Sequence, residues 1–235
     1  MPHAVTRRAV RSSPGRHPLL ALGLALPVVY FAIQLIAAAF YPGYSFLDRD
    51  ASTLGSHGST APWIFNGGAL VVGTIELLLA VAFFGALRRG RAGVVLPALV
   101  SIALVSAAIG SLNAFLHPLP DPRHTEGLLS MLGAGLLFLP LLSVAILWRL
   151  GARALALAFV ALGLAVIPLM TGLVQRLCMH AGIDFSGYQA FLNGYHGLIQ
   201  RLGALMLFGS IAAVAHVLQR SQAAGAGRAA VPPGR

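Results

Sequence analysis

Long apolar runs separated by short polar interruptions set the pattern of this chain. The runs cover residues 18–40, 62–87, 93–116, 127–148, 152–175 and 192–218. Each has at least the roughly 20 residues that a helix needs to cross about 30 Å of hydrocarbon. Barrel strands do not fit, because they are about 10 residues long and alternate with period two. A helix, by contrast, satisfies its own backbone inside lipid. The pattern predicts an all-α polytopic membrane protein, a bundle of six transmembrane helices over residues 18–220. A basic tail (1–17) precedes it, and an Ala/Gly/Pro-rich tail (221–235), expected to be disordered, follows.

Arginine orients the bundle. Arg7, Arg8, Arg11 and Arg16 precede the first run, Arg88, Arg89 and Arg91 follow the second, and Arg149 and Arg153 follow the fourth. Arg220, Arg228 and Arg235 follow the last. The opposite side holds only Arg49, Arg123 and Arg176, with Arg201 inside the last run. It also holds Asp48, Asp50, Asp121, Glu126 and Asp184. The positive-inside rule then places both termini in the cytoplasm and the protein in the cytoplasmic membrane. Thr6-Arg7-Arg8 has the look of an export signal, but the apolar run behind it exceeds the roughly 7–15 residues of a signal core. It is read as a retained first helix.

Composition removes the main rivals. Of the 235 residues, 57% are hydrophobic and 9% charged, too few charges to cover a water-soluble domain. The mean hydropathy is +0.82. The net charge of +10 is all arginine, gathered at the ends of apolar runs and not interleaved with aromatics, which argues against a nucleic-acid partner. The bilayer is the expected partner. Cys178 is the single cysteine, so there is no internal disulfide and no thiolate metal site.

Small residues mark packing faces. Ser106, Gly110 and Ala114 repeat every four residues in the third run, and Ala69 and Gly73 do so in the second. Pro140 and Pro168 are expected to kink the helices that carry them.

The candidate chemistry is concentrated on the arginine-poor side. The interruption 41–61 offers Asp48, Asp50, Ser52, Ser56, His57 and Ser59, and the one after the third run offers His117, Asp121, His124 and Glu126. His57, His117 and His124 with a carboxylate have the donor types of a zinc shell. No pair of these histidines shows the i, i+4 helical spacing, and HExxH is absent, so ordinary interfacial histidines are the preferred reading over zinc. A serine nucleophile with a histidine base is the corresponding hydrolase reading. Tyr41, Tyr44, Trp63, Tyr188 and Tyr195 read as an interfacial aromatic belt.

Deeper groups carry more information. Glu76 falls roughly 20 Å past Trp63 at helical rise, where an ionisable residue is a functional candidate. It is expected to face inward and, without a cationic neighbour, to be uncharged. Arg201 lies roughly 9 Å in, free to turn outward toward the loops or lipid phosphate. Asn66, Asn113 and His196 lie near the same level and complete a candidate ligand pocket. A bundle-pinning role for Glu76 and Arg201 is the plain alternative.

Several stretches together resemble a known family. They are Tyr41-Pro42-Gly43-Tyr44, Ser52-Thr53-Leu54-Gly55, Asn66-Gly67, the exit Phe115-Leu116-His117-Pro118 with Asp121 and His124, and Gly197-Leu198-Ile199-Gln200-Arg201. The pattern over residues 18–220 is similar to domain-of-unknown-function family 998, multi-pass membrane proteins of bacteria and archaea. That resemblance implies a multi-helix membrane fold with a site on the arginine-poor side, and no activity.

The resulting expectation is a protein that binds or transports a small or lipidic ligand through an outward-facing polar pocket between the second, third and last runs. The rival expectations are a membrane-integral hydrolase or transferase using the His, Asp and Ser groups, with or without zinc, and a non-catalytic accessory protein.

Overall fold

A computed structural model of the chain describes residues 18–89, 93–170, 177, 179–182 and 186–229. The basic residues before 18, Cys178, Arg176 and Asp184 lie outside them. The described helices are α1 (Pro18–Ala38), α2 (Trp63–Arg89), α3 (Val95–Leu116), α4 (Arg123–Glu126), α5 (Leu128–Gly133), α6 (Leu139–Arg149), α7 (Arg153–Met170), α8 (Ser186–Gly194) and α9 (His196–Ala229). Short 3₁₀ helices occupy Ala51–Gly55 and Ala134–Phe138. The fold is all-α among the described residues, and α9 runs on past Arg220, where the apolar pattern ends.

Four of these helices, not six, are long and apolar enough to cross a membrane: α1, α2, α3 and α9. The fourth apolar run is where the expectation fails most clearly. It divides into α5, the 3₁₀ helix and α6, and the cause is close approach to α3. A Cβ on Gly133 would sit 2.8 Å from the Gly110 Cα, and one on Gly135 would lie 2.9 Å from the Ser106 Cβ and closer still to its hydroxyl. Ser106 Oγ donates to the Leu132 carbonyl at that contact. The chain tightens to 3₁₀ there, and Pro140 supplies no backbone N–H to carry a continuous ladder across the junction. The small-residue face of α3 therefore receives a broken segment instead of a spanning helix. The fifth run gives α7, of 18 residues, with Pro168 inside it. Its apolar stretch, Arg153–Leu169, falls below spanning length, and residues 171–175 lie outside those described.

The bundle is built on α2. It packs along α3 on one side and α1 on the other, α1 packs on α9, and α6 and α7 close against α9. A Cβ on Gly73 would meet the Ala108 carbonyl at 3.2 Å, so α2 and α3 touch nearly backbone to backbone. Apolar side chains also cover the outside: Val28 is 69% exposed and Ile102 66%, the exposure of a lipid-facing surface.

One end of the bundle is marked by Arg88 and Arg89 at the end of α2, Arg149 at the end of α6 and Arg153 at the start of α7. Gly151, with φ of 80°, makes the left-handed turn between α6 and α7 there. The other end carries residues 39–62 and 117–127. Most of the buried core belongs to the arginine half, where Leu20, Leu79, Phe83, Leu104, Ile146 and Ile211 pack together. A second, small cluster of Ala37, Ala51, Leu54 and Phe65 sits at the loop end. The site lies between these two clusters.

Candidate functional site

Two arrangements meet at the loop end. The first is a clamp. Gly197, Leu198, Gln200 and Arg201, in the first turns of α9, hold the segment 44–51 against the bundle. Leu198 N donates to the Leu47 carbonyl at 2.9 Å, and the Gln200 Oε1 accepts from Ala51 N at 2.7 Å. Arg201 Nη1 lies 2.8–3.0 Å from three carbonyls, those of Phe46, Arg49 and Gly197. Its Nη2 donates to the Tyr44 hydroxyl, which donates on to the Asp50 carbonyl at 2.9 Å. The guanidinium lies over the Phe46 ring at 4.8 Å. Of its nitrogens, only Nε has no hydrogen-bond partner. Burial pushes the Tyr44 phenol above its ordinary pKa, with the Arg201 charge acting against it.

Gly197 is what lets the clamp close. A Cβ there would fall onto the Arg49 carbonyl oxygen and within 2.8 Å of the Arg49 nitrogen. Next to it, His196 is mostly exposed and its Nδ1 lies 3.0 Å from Asp50 Oδ1. Asn66, in the first turn of α2, ties down the same loop by donating to the Gly55 carbonyl at 3.1 Å. Gly43, with φ of 69°, turns the chain between Tyr41 and Tyr44.

The second arrangement is a partly open cavity of about 510 Å³, lined by α1, α2, α3, α9, the 3₁₀ helices and the broken segment before α6. Its walls are mostly apolar and built from small residues such as Gly68, Ala69, Ala107, Gly110, Ala114 and Gly203. Glu76 lines it and is 1% exposed. Its Oε2 accepts from Ser111 Oγ at 2.8 Å, and no cation of the described residues pairs with it. Tyr30, Phe65 and Phe208 add aromatic surface, the Tyr30 and Phe208 rings lying 4.5 Å apart. Toward the loops the walls become polar, with Ser52, Asn113, His124, Ser130 and Gln200.

The loop 117–127 closes that side. Asn113 Nδ2 donates to the carbonyls of Arg123 and His124 at 3.2 and 3.0 Å, leaving its buried Oδ1 without a partner. His124 Nδ1 is 2.8 Å from the His117 carbonyl, and His117 Nδ1 is 3.4 Å from Asp121 Oδ2. Asp121 binds the Arg123 side chain through both oxygens, at 2.7–3.2 Å, and accepts from Arg123 N at 2.9 Å. These bonds hold the Asp121 carboxyl well below the usual carboxylate range. The exposed Asp48 carboxyl is lowered by a hydrogen bond from Ser45. His57 is exposed. Ser56 and Ser59 donate to the Thr53 and Phe40 carbonyls. Among the described residues, no three His, Cys, Asp or Glu side chains gather as a metal site, so His57, His117 and His124 do not converge.

The clamp of Gly197-Leu198-Ile199-Gln200-Arg201 and the loop it holds both fall within a match to a known family. The family described as "Protein of unknown function (DUF998)" covers residues 24–217. The chain belongs to the DUF998 family. The resemblance read from its short motifs is thus borne out over most of the chain. No curated protein and no solved structure matches this DUF998 member. The helices and the family together make it a multi-pass, membrane-embedded protein.

Two site residues escaped the sequence reading. Ser111 carries no pattern of its own, although it adjoins Gly110 of the small-residue stripe. Tyr30 lies in an apolar helix where its hydroxyl is one polar atom among many apolar ones.

Proposed function

We propose that this DUF998 protein binds a small or lipidic molecule in the cavity beside Glu76, drawn from the membrane or from the loop side. The observation that carries the reading is the cavity itself. About 510 Å³ lies within the roughly 300–1,000 Å³ of sites for drug-sized ligands, and apolar walls with a few convergent polar groups are their usual chemistry. An ionisable side chain at membrane depth is costly unless it serves something, and Glu76 has only Ser111. The arginine-rich end is assigned to the cytoplasm by the positive-inside rule, which turns the loops and the polar wall outward from the cytoplasmic membrane.

Lipid retained by the purified protein tests this. Native mass spectrometry of wild type in lipid nanodiscs is expected to show a bound small molecule. Ala114→Phe, which fills the cavity from α3, is expected to lose it while remaining folded. Identical spectra from the two proteins would remove the reading.

A further inference from the structure

We propose that the cavity selects a lipophilic cation, an ammonium or comparable onium group on an apolar body, with the Glu76 carboxylate as its counter-ion. This deepens the ligand-binding reading and rests on it. The argument starts from charge. Glu76 is buried with a single hydroxyl partner, Ser111, and no positive group among the described residues pairs with it. The titratable side chains that share the cavity are Tyr30 and His124, and the His124 Nδ1 is already engaged by the His117 carbonyl. Arg201, the one buried arginine among the described residues, turns its guanidinium to the Phe46, Arg49 and Gly197 carbonyls. With no cation beside it such a carboxyl keeps its proton, and a cation entering from outside the chain displaces that proton to solvent and balances the carboxylate.

The walls fit the rest of that ligand. Tyr30, Phe65 and Phe208 line the same space, and aromatic faces attract a diffuse positive charge most strongly when water is excluded. Small residues elsewhere leave volume for an apolar body. An anionic ligand would meet Glu76 with no cation among the described lining residues to receive it. A neutral lipid would take at most a hydrogen bond from the carboxyl and would not draw on its charge.

The probe is tritiated tetraphenylphosphonium, with neutral triphenylphosphine oxide as competitor, on the detergent-purified full chain. Wild type is expected to bind the cation saturably, and the oxide is expected not to displace it. Glu76→Gln, which keeps the shape and the Ser111 contact, should bind at least about tenfold more weakly. Glu76→Asp should retain binding, and Ala114→Phe should lose it. Size-exclusion elution identical to wild type establishes that each variant is folded. If the oxide competes as well as the cation and Glu76→Gln binds normally, while Ala114→Phe does not, the cation assignment falls and the cavity reading stands. If no probe binds saturably, the cation assignment also falls, and lipid retention in the Ala114→Phe comparison then decides the cavity reading on its own. Binding that survives Ala114→Phe overturns both.

Discussion

Glu76 and Arg201 are both ionisable, both buried and both set in long helices, yet their surroundings are opposite. Arg201 is enclosed by carbonyls and a phenol that belong to the chain itself. Glu76 faces a cavity with one serine for company. Burial alone therefore says little about role. What separates the two is whether the protein supplies the complementary groups. A charge whose donors are filled by local backbone is part of the scaffold, whereas an ionisable group that lines an apolar-walled cavity without a counter-charge among the described residues is not held that way.

Removing Arg201 should have the largest effect. Hydrogen bonds to charged groups contribute about 1.5–3 kcal/mol each, and several are lost together. Arg201→Leu is expected to destabilise the protein by on the order of 3–5 kcal/mol, read as a large drop in apparent Tm in detergent. Arg201→Lys should recover only part, because an ammonium cannot present a planar fork to several carbonyls at once. A variant as stable as wild type would break the comparison outright.

Gly197→Ala attacks the same clamp without touching a charge. The new methyl collides with the Arg49 backbone, so the loop must lift from α9. The expected cost is about 1–3 kcal/mol, with faster amide exchange across residues 44–51. Tyr44→Phe should cost less, about 1 kcal/mol. It should also remove an alkaline sensitivity. A phenol with a raised pKa stabilises the fold fully below its unfolded value near 10 and loses that contribution as pH rises through the folded one. Wild type should therefore lose more stability than Tyr44→Phe on alkaline titration.

Glu76→Leu sharpens the contrast from the other side. It removes a buried polar group that the scaffold does not use, so stability should stay level or rise by up to about 2 kcal/mol. Tetraphenylphosphonium binding should vanish in the same protein. A Tm loss comparable to that of Arg201→Leu would show that Glu76 is scaffold after all.

The asymmetry between the two residues also marks how far the sequence could be read. Apolar runs and arginine-rich ends are statements about solvent, and solvent acts on each residue separately. They are legible without knowing any contact. Spanning length is different, because a run over 127–148 has the same hydropathy whether it forms one helix or three pieces. The outcome there depends on Gly133 and Gly135 meeting Gly110 and Ser106, a contact with another helix. Arg201 was legible as a cation within the last run, free to turn outward, but its partners were not, since backbone carbonyls occur at every position. Glu76 was legible as an intramembrane carboxyl, while Ser111 became its partner only through the packing of α2 on α3.

Asp121 provides the smallest test, at the exposed end of the same scale. Its half-buried carboxylate is held by the exposed Arg123 at the loop surface, where ion pairs contribute little to global stability. Asp121→Asn should leave the apparent Tm unchanged. Its local effect is on the turn that carries His124 to the cavity wall, because Asp121 also accepts from Arg123 N. The folded carboxyl titrates well below the ordinary Asp value of about 3.9, so its contribution is complete above that value and is lost as pH falls through the depressed one. Amide exchange of peptides spanning 119–127, corrected for intrinsic rates, should therefore show the same protection in wild type at pH 7 and pH 5. In Asp121→Asn protection should be lower at both. An acid loss beginning above pH 5 would mean that a group other than the Asp121 carboxyl governs the turn that carries His124 to the cavity wall.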